Sequence, residues 1–267
     1  MRMNEIKIVE QLDRGLAYAE ACFETFSMVQ GQVFERAKHQ RRLQAALKTY
    51  GLICTDKEVK HWFCQAIAAA VAQGNHMMVR LTVSMGDAEW GLLPKIRRDL
   101  HVQVQIMPFM PPQTSHLQTV TWPFPLREKR VKYTSDYAES LRAIQQWQLP
   151  SGVQALICSS HGGVLSTLTA NIALYRDGQW YTPQGLGVLH GVIRQFLLRQ
   201  GILQEAICPI EWLGNCEAMV YMNSGVFVQP VVSINQRELS DRHPAIDELY
   251  NSFNGLPGVP WLGGRDE

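Results

Sequence analysis

The chain predicts an α+β fold of two unequal domains, with the functional site in the cleft between them. Strand-period and helix-period segments are mixed along the chain rather than separated into blocks. They fall on both sides of one stiff stretch, Pro108-Phe-Met-Pro-Pro-Gln-Thr-Ser-His116, which has three prolines in five positions and favours an extended connector. A length of 267 residues suffices for one large domain or two modest ones. The expected division is a smaller N-terminal domain over 1–110, a larger C-terminal domain over 117–267, and a linker over 108–116.

Residues 5–10 read as a short strand, and 22–29 and 32–35 flank Gln30-Gly31, a hairpin signal. A helix is expected from Arg36 to Tyr50, with Leu43, Ala46, Leu47 and Tyr50 on one face and a stop near Gly51. A second helix is expected from Asp56 to Gln73, capped by Thr55 or Asp56 and ended before Gly74. Residues 77–85 form an apolar strand, and in 99–107 the alternation of Leu100, Val102, Val104 and Ile106 buries one face. Beyond the linker, Ser135 or Thr134 can cap a helix in which Tyr137, Leu141, Ile144 and Trp147 share a face, and Pro150-Ser-Gly ends it. Strands follow at 153–158 and 171–175, with Asp177-Gly178 turning into 179–181. A helix from Gly191 to Arg199, strands at 217–222 and 226–234, and a helical stretch from Pro244 to Asn254 complete the pattern.

Composition narrows the function classes. The formal charge is +1, so no basic excess points to nucleic acid or an anionic membrane. No apolar run approaches the roughly 20 residues that span a bilayer. The opening Met-Arg-Met-Asn-Glu-Ile-Lys-Ile is too polar for a signal peptide, which makes a cytoplasmic protein the simplest expectation. The six cysteines include no C-x-x-C pair and fall mostly in apolar runs. The eight histidines are scattered, and no metal site is expected.

The most informative segment is Val131-Lys132-Tyr-Thr-Ser-Asp136, followed by Gly163-Val-Leu-Ser166-Thr-Leu-Thr-Ala-Asn171-Ile, Thr182-Pro183 and Gly191-Val-Ile-Arg194. Upstream are Asp13-Arg-Gly15, Tyr18, Cys22-Phe-Glu-Thr25, His39-x-x-Arg42-Leu43 and Val79-Arg-Leu-Thr-Val83 with Gly86; downstream are Met222-Asn-Ser224 and Pro230-Val231. In this order and over nearly the whole chain, they resemble the class IV (fold type IV) pyridoxal-phosphate-dependent aminotransferase family. The wording of Asn223-Ser224 and Gly191-Val-Ile-Arg-Gln-Phe196 is most similar to its aminodeoxychorismate lyase branch. The resemblance implies a larger C-terminal domain of mixed-sheet, barrel-like form. It also implies a small-molecule substrate, and a homodimer in which a loop of the neighbouring subunit helps to build each site.

The resemblance assigns Lys132 as the residue that binds the pyridoxal 5'-phosphate aldehyde as an imine. Such an amine must be partly uncharged, which a desolvated cleft or cationic neighbours favour. Arg127, Lys129 and Arg130 could supply that positive charge. For the phosphate, a helix N-terminus offers free N–H groups, here those of Val192 and Ile193 after Gly191. Ser224 and Gly225 form a second donor pair, and Arg42 a bidentate contact. His39 reads as structural.

Three departures from the family pattern stand out. Serine occupies position 166, where the family usually places a glutamate facing the cofactor's ring nitrogen. Ser166 can hydrogen-bond there but cannot hold an ionic pair. Trp90 lies in the loop after Gly86, where an arginine is common, so the substrate carboxylates need other partners, with Arg127, Lys129 and Arg130 as candidates. Ser135, where asparagine is usual, reads as a helix cap. Ala19, Glu20 and Ala21 also replace a Gly-Asp-Gly run.

The expected function is cleavage of 4-amino-4-deoxychorismate to 4-aminobenzoate and pyruvate, a step of folate biosynthesis. Aromatisation of the product reduces the demand on the ring nitrogen, so Ser166 favours a lyase. A class IV aminotransferase acting on D-amino or branched-chain amino acids is the alternative. A non-catalytic family member is a further one, motivated by Ser166, Ala19, Ala21 and Trp90.

Overall fold

The computed structural model describes residues 10–52, 54–93, 99–110, 115–128 and 131–260. The strand expected over 5–10 lies outside them apart from Glu10. A short pair of elements, β1 (Leu12–Asp13) and α1 (Arg14–Tyr18), leads into β2 (Ala21–Val29), α2 (Arg36–Thr49), α3 (Asp56–Val71), β3 (His76–Ser84), β4 (Asp87–Ala88) and β5 (His101–Pro108). Strands β2, β3 and β5 pair antiparallel in that order, and β1 pairs with β4. Asp13 and Asp87 oppose one another across β1 and β4, and His101 Nδ1 lies 2.8 Å from Asp13 Oδ2.

Alternation along β3 decides what each face does. Met77, Val79, Leu81 and Val83 are buried in one core with Leu43, Ala46 and Leu47 of α2 and Val59, Phe63 and Ala66 of α3. Met78 and Arg80 face the other way. Helix α3 begins with a capping box, in which the Thr55 hydroxyl accepts from Glu58 N and the Glu58 carboxylate accepts from Thr55 N.

The turn at Gln30-Gly31 forms, with positive φ at both residues, but 32–35 add only a Val29–Gln32 bridge and no strand. Phe34 accounts for the difference. It leaves the small sheet and packs against Phe196, Phe227 and Phe253, at ring centroid distances of 5.0, 5.4 and 5.7 Å, in the core of the C-terminal lobe.

That lobe contains β6 (Ser115–Thr121), α4 (Asp136–Trp147), β7 (Val153–Cys158), β8 (Gly163–Ser166), β9 (Asn171–Arg176), β10 (Gln179–Pro183), α5 (Val192–Arg199), β11 (Leu203–Ala206), β12 (Cys208–Pro209), β13 (Ala218–Asn223), β14 (Phe227–Ile234), β15 (Arg237–Glu238) and α6 (Pro244–Asn251). Ten strands join one sheet in the order β11-β10-β9-β13-β14-β6-β7-β8-β12, with β15 beside β14. Pairings β6–β7, β6–β14 and β10–β11 are parallel and the others antiparallel. The sheet curls, so that β8 and β12 near one end lie against β10 near the other. Helices α5 and α6 cover β13, with Phe196, Leu197, Ile246 and Leu249 in the core between.

Pro108 closes β5 and Ser115 opens β6, so 109–114 connect the two sheets; 111–114 lie outside the described residues. Helix α4 differs from its expected packing. Its buried residue is Ala143, while Leu141 and Ile144 are exposed and Tyr137 turns into a cavity. Ser135 occupies the N-cap position in helical conformation and makes no side-chain cap bond, so the expected cap is absent. Five of the six cysteines are buried, and Cys64 is exposed. Among the described residues no helix is long and apolar enough to cross a membrane.

Candidate active site

The edge of β2 holds Lys132 in place. Phe23 N–H donates to Lys132 O at 3.2 Å, Thr134 N–H donates to Ala21 O at 3.0 Å, and the Thr134 hydroxyl donates to Ala19 O at 2.9 Å. The segment from Lys132 to Thr134 thereby adds a short antiparallel bridge to the small sheet just before α4 of the larger lobe. Lys132 therefore sits where the lobes meet, on a cavity of about 460 Å³. Phe23, Met78, Trp122, Leu165 and Val226 contribute to its apolar walls.

Desolvation pushes the Lys132 ammonium down to about 8. Arg42 and Arg80 act in the same direction, and Glu24 opposes them. Lys132 Nζ lies 5.2 Å from the centroid of Phe23, and Arg80 Cζ lies 4.0 Å from the same ring. Tyr137 stacks on Phe23 at 5.4 Å, so two aromatic rings and two cations form one wall.

Arg42 reaches the cavity from α2. Its Nε and Nη2 donate to the two oxygens of Glu24 at 2.6 and 2.7 Å, which leaves Nη1 without a protein partner among the described residues. His39 Nδ1 lies 2.7 Å from Glu24 Oε2. Burial alone would raise the Glu24 carboxyl, but Arg42 and His39 hold it down to about 2. Burial also lowers the pKa of His39, whose Nε2 has no partner among the described residues.

On the opposite wall α5 starts at Gly191, which has extended backbone and no side-chain cap. The first-turn residues Val192 and Ile193 line the cavity, and such a turn leaves its N–H groups unbonded within the helix. A side chain at 191 would place its Cβ 2.1 Å from Asn171 Oδ1, so glycine is needed for this approach. Asn171 is itself fixed through its Nδ2 donating to Leu189 O at 2.8 Å.

Ser224 and Gly225 sit in the turn from β13 to β14 and line the cavity too. The Gly225 N–H already donates to Asn223 Oδ1 at 2.8 Å, and a Cβ at 225 would lie 2.6 Å from Met78 Cε. Gly225 thus supplies close approach, while Ser224 keeps its hydroxyl unbonded among the described residues. Ser166 ends β8 opposite Ile157 of β7, and both face the cavity. No described residue hydrogen-bonds the Ser166 hydroxyl, and Asp136 is the one carboxylate among the described lining residues.

One cavity therefore collects Lys132, Arg42, Ser166, Val192, Ile193, Ser224 and Gly225. Arg127 is not among its lining residues: it is largely exposed and paired with Glu139. Trp90 is 97% exposed and stands away from the cavity, and Lys129 and Arg130 lie outside the described residues. Sequence reasoning missed Arg80, Phe23 and Tyr137. The available signal for Arg80 was its place on the polar side of an alternating strand, and for Glu24 its presence in an otherwise apolar one.

A family model for amino-transferase class IV matches residues 21–234. The chain belongs to this family. No curated protein sequence gives a match. Among solved structures, 4-amino-4-deoxychorismate lyase from Pseudomonas aeruginosa is similar with a TM-score of 0.75 and 20% identity, over 96% of this chain and 97% of the other. The branched-chain amino acid aminotransferase from Escherichia coli is similar with a TM-score of 0.74 and 18% identity, over 91% and 87% of the two chains. The PLP-bound form of a hypothetical aminotransferase from Mycobacterium tuberculosis gives a TM-score of 0.75 and 17% identity, over 93% and 92%. At these identities the likeness establishes the fold, and it agrees with the fold class and cofactor expected from the sequence. The class IV cavity also suits pyridoxal phosphate chemically. It offers an amine of lowered pKa, a guanidinium with one nitrogen to spare and a helix start without a side-chain cap.

Proposed function

We propose that the chain is a pyridoxal-phosphate-dependent lyase that converts 4-amino-4-deoxychorismate to 4-aminobenzoate and pyruvate in folate biosynthesis. The observation that carries this reading is Ser166, an uncharged group on the cavity wall where the family pattern has glutamate. When bound, the cofactor supplies an aldehyde for the substrate amine and a ring that withdraws electrons from the adjacent carbon. Arg42, the N–H groups of Val192 and Ile193, and the Ser224 hydroxyl would hold its phosphate. Lys132 Nζ would bond the aldehyde and, once released by substrate, remove the proton from the amine-bearing carbon. Arg80 replaces Arg127 as the partner for a substrate carboxylate, and Phe23 and Tyr137 flank the substrate ring. Loss of the enolpyruvyl group leaves an aromatic ring, a gain that lets the uncharged Ser166 suffice.

The same reading places the protein in the cytoplasm as a homodimer. The exposed side chains of Leu16, Trp90, Leu92 and Leu93 support a partner on the small lobe. An aminotransferase is the second reading, favoured by the apolar walls of Met78, Met107, Leu168 and Val226, which suit a branched side chain. Incubation with pyridoxal phosphate and aminodeoxychorismate, without an amino acceptor, decides between them. The lyase releases 4-aminobenzoate and Lys132→Ala does not. No 4-aminobenzoate in that incubation, with amino transfer from a D-amino or branched-chain amino acid when 2-oxoglutarate is supplied in a separate one, would replace the lyase by the aminotransferase.

A further inference from the structure

We propose that Glu24 is a positioning residue of the anion-binding wall: its carboxylate fixes the plane of the Arg42 guanidinium, so that Nη1 is presented to a phosphate group, and His39 fixes the carboxylate in turn. The proposal deepens the reading of the cavity as a cofactor site and rests on it. Glu24 is fully buried on β2 and does not line the cavity, so it cannot touch a ligand itself. Its neighbours Cys22, Phe26 and Met28 are apolar and buried, and packing alone gives no reason for a carboxylate among them. Its two oxygens take Arg42 Nε and Nη2 side-on, and Oε2 also meets His39 Nδ1, so both oxygens are occupied. An arginine held by one edge loses most of its rotational freedom before a ligand arrives, and that ordering no longer opposes binding.

The arrangement has a second effect, on charge. Lys132 faces Arg42 and His39 from α2, Glu24 from β2 and Arg80 from β3, with Asp136 of α4 on the same cavity. Glu24 is the group that favours the charged amine against Arg42 and Arg80. Its removal therefore shifts the amine further toward neutrality.

Two variants separate position from charge. Glu24→Gln removes the charge, and Glu24→Asp keeps it but draws the carboxylate back by one methylene. Binding of inorganic phosphate, pyridoxal phosphate and phosphate-free pyridoxal is measured on the full chain. Both variants are expected to weaken inorganic phosphate and pyridoxal phosphate by about tenfold or more, while pyridoxal binding changes little. The pH midpoint of the pyridoxal–lysine absorbance band is expected to fall in Glu24→Gln and to stay in Glu24→Asp. Unchanged phosphate affinity in the variants overturns the proposal, as does an equal loss of pyridoxal and pyridoxal phosphate, which marks a merely structural role. If Glu24→Gln fails to fold, Glu24→Asp decides by the same ratio. Wild type that binds inorganic phosphate but forms no band with either aldehyde overturns the cofactor reading, and the variants' phosphate affinity still decides the role of Glu24. Wild type that binds neither phosphate nor aldehyde overturns both.

Discussion

Lys132 can act as a nucleophile only in its neutral form, and the pH at which that form appears is set by its surroundings. With a folded value of about 8 against an ordinary 10.5, the amine reacts near neutral pH where a surface lysine does not. Trapping of Lys132 by pyridoxal and borohydride should rise with a midpoint near pH 8, followed by mass spectrometry, and a midpoint near the ordinary value would show a solvated amine. A second residue departs from the easy choice. Ala19 ends α1 in the left-handed region at φ +54°, which an L side chain adopts at a cost. Ala19→Gly should stabilise the chain by about 0.5–1 kcal/mol, read from urea unfolding. Lys132 and Arg42 were legible because their neighbours form an ordered pattern. Arg80 was hidden because one strand serves two faces, and only the fold tells which face meets the cavity.

Elements with their own start and stop signals were the readable ones. Thr55 with Glu58 caps α3, Gly191 starts α5, and Pro244 at the first turn starts α6. Strands β6 and β8 carried no such marks: β6 is half polar and β8 is four residues long, and both exist through the neighbours they pair with. The segment 32–35 shows the opposite failure. Its apolar residues suited a hairpin strand, but Phe34 is claimed by an aromatic cluster of the other lobe. Phe34→Ala should cost about 3 kcal/mol in unfolding free energy. It should also loosen the small lobe's hold on the larger one, seen as faster amide exchange in β2 than in β7.

For the whole molecule, buried ionisable groups make stability depend on pH in a definite direction. Glu24 has a folded value of about 2 against an ordinary 4.5, so its contribution is complete above pH 4.5 and is lost as pH falls toward 2. His39 is lowered from 6.5, so the unfolded chain binds its proton first and stability already declines below pH 6.5. Lys132 acts on the alkaline side: its burial opposes folding below pH 8, and this opposition is relieved between 8 and 10.5. Urea midpoints should therefore fall on acidification in two stages, and Glu24→Gln should flatten the lower stage, on the order of 3 kcal/mol in the wild type. A midpoint independent of pH from 7 to 3 would show that Glu24 is not held as an ion.

The lobes are sewn together at the place where chemistry is expected. Phe23 N–H bonds Lys132 O, Ser27 N–H bonds Ser224 O at 2.8 Å, and Phe34 plugs the far core. A jaw that opened by swinging would have to tear these stitches and would drop the reactive amine from its support. The fold therefore favours access that leaves these stitches whole.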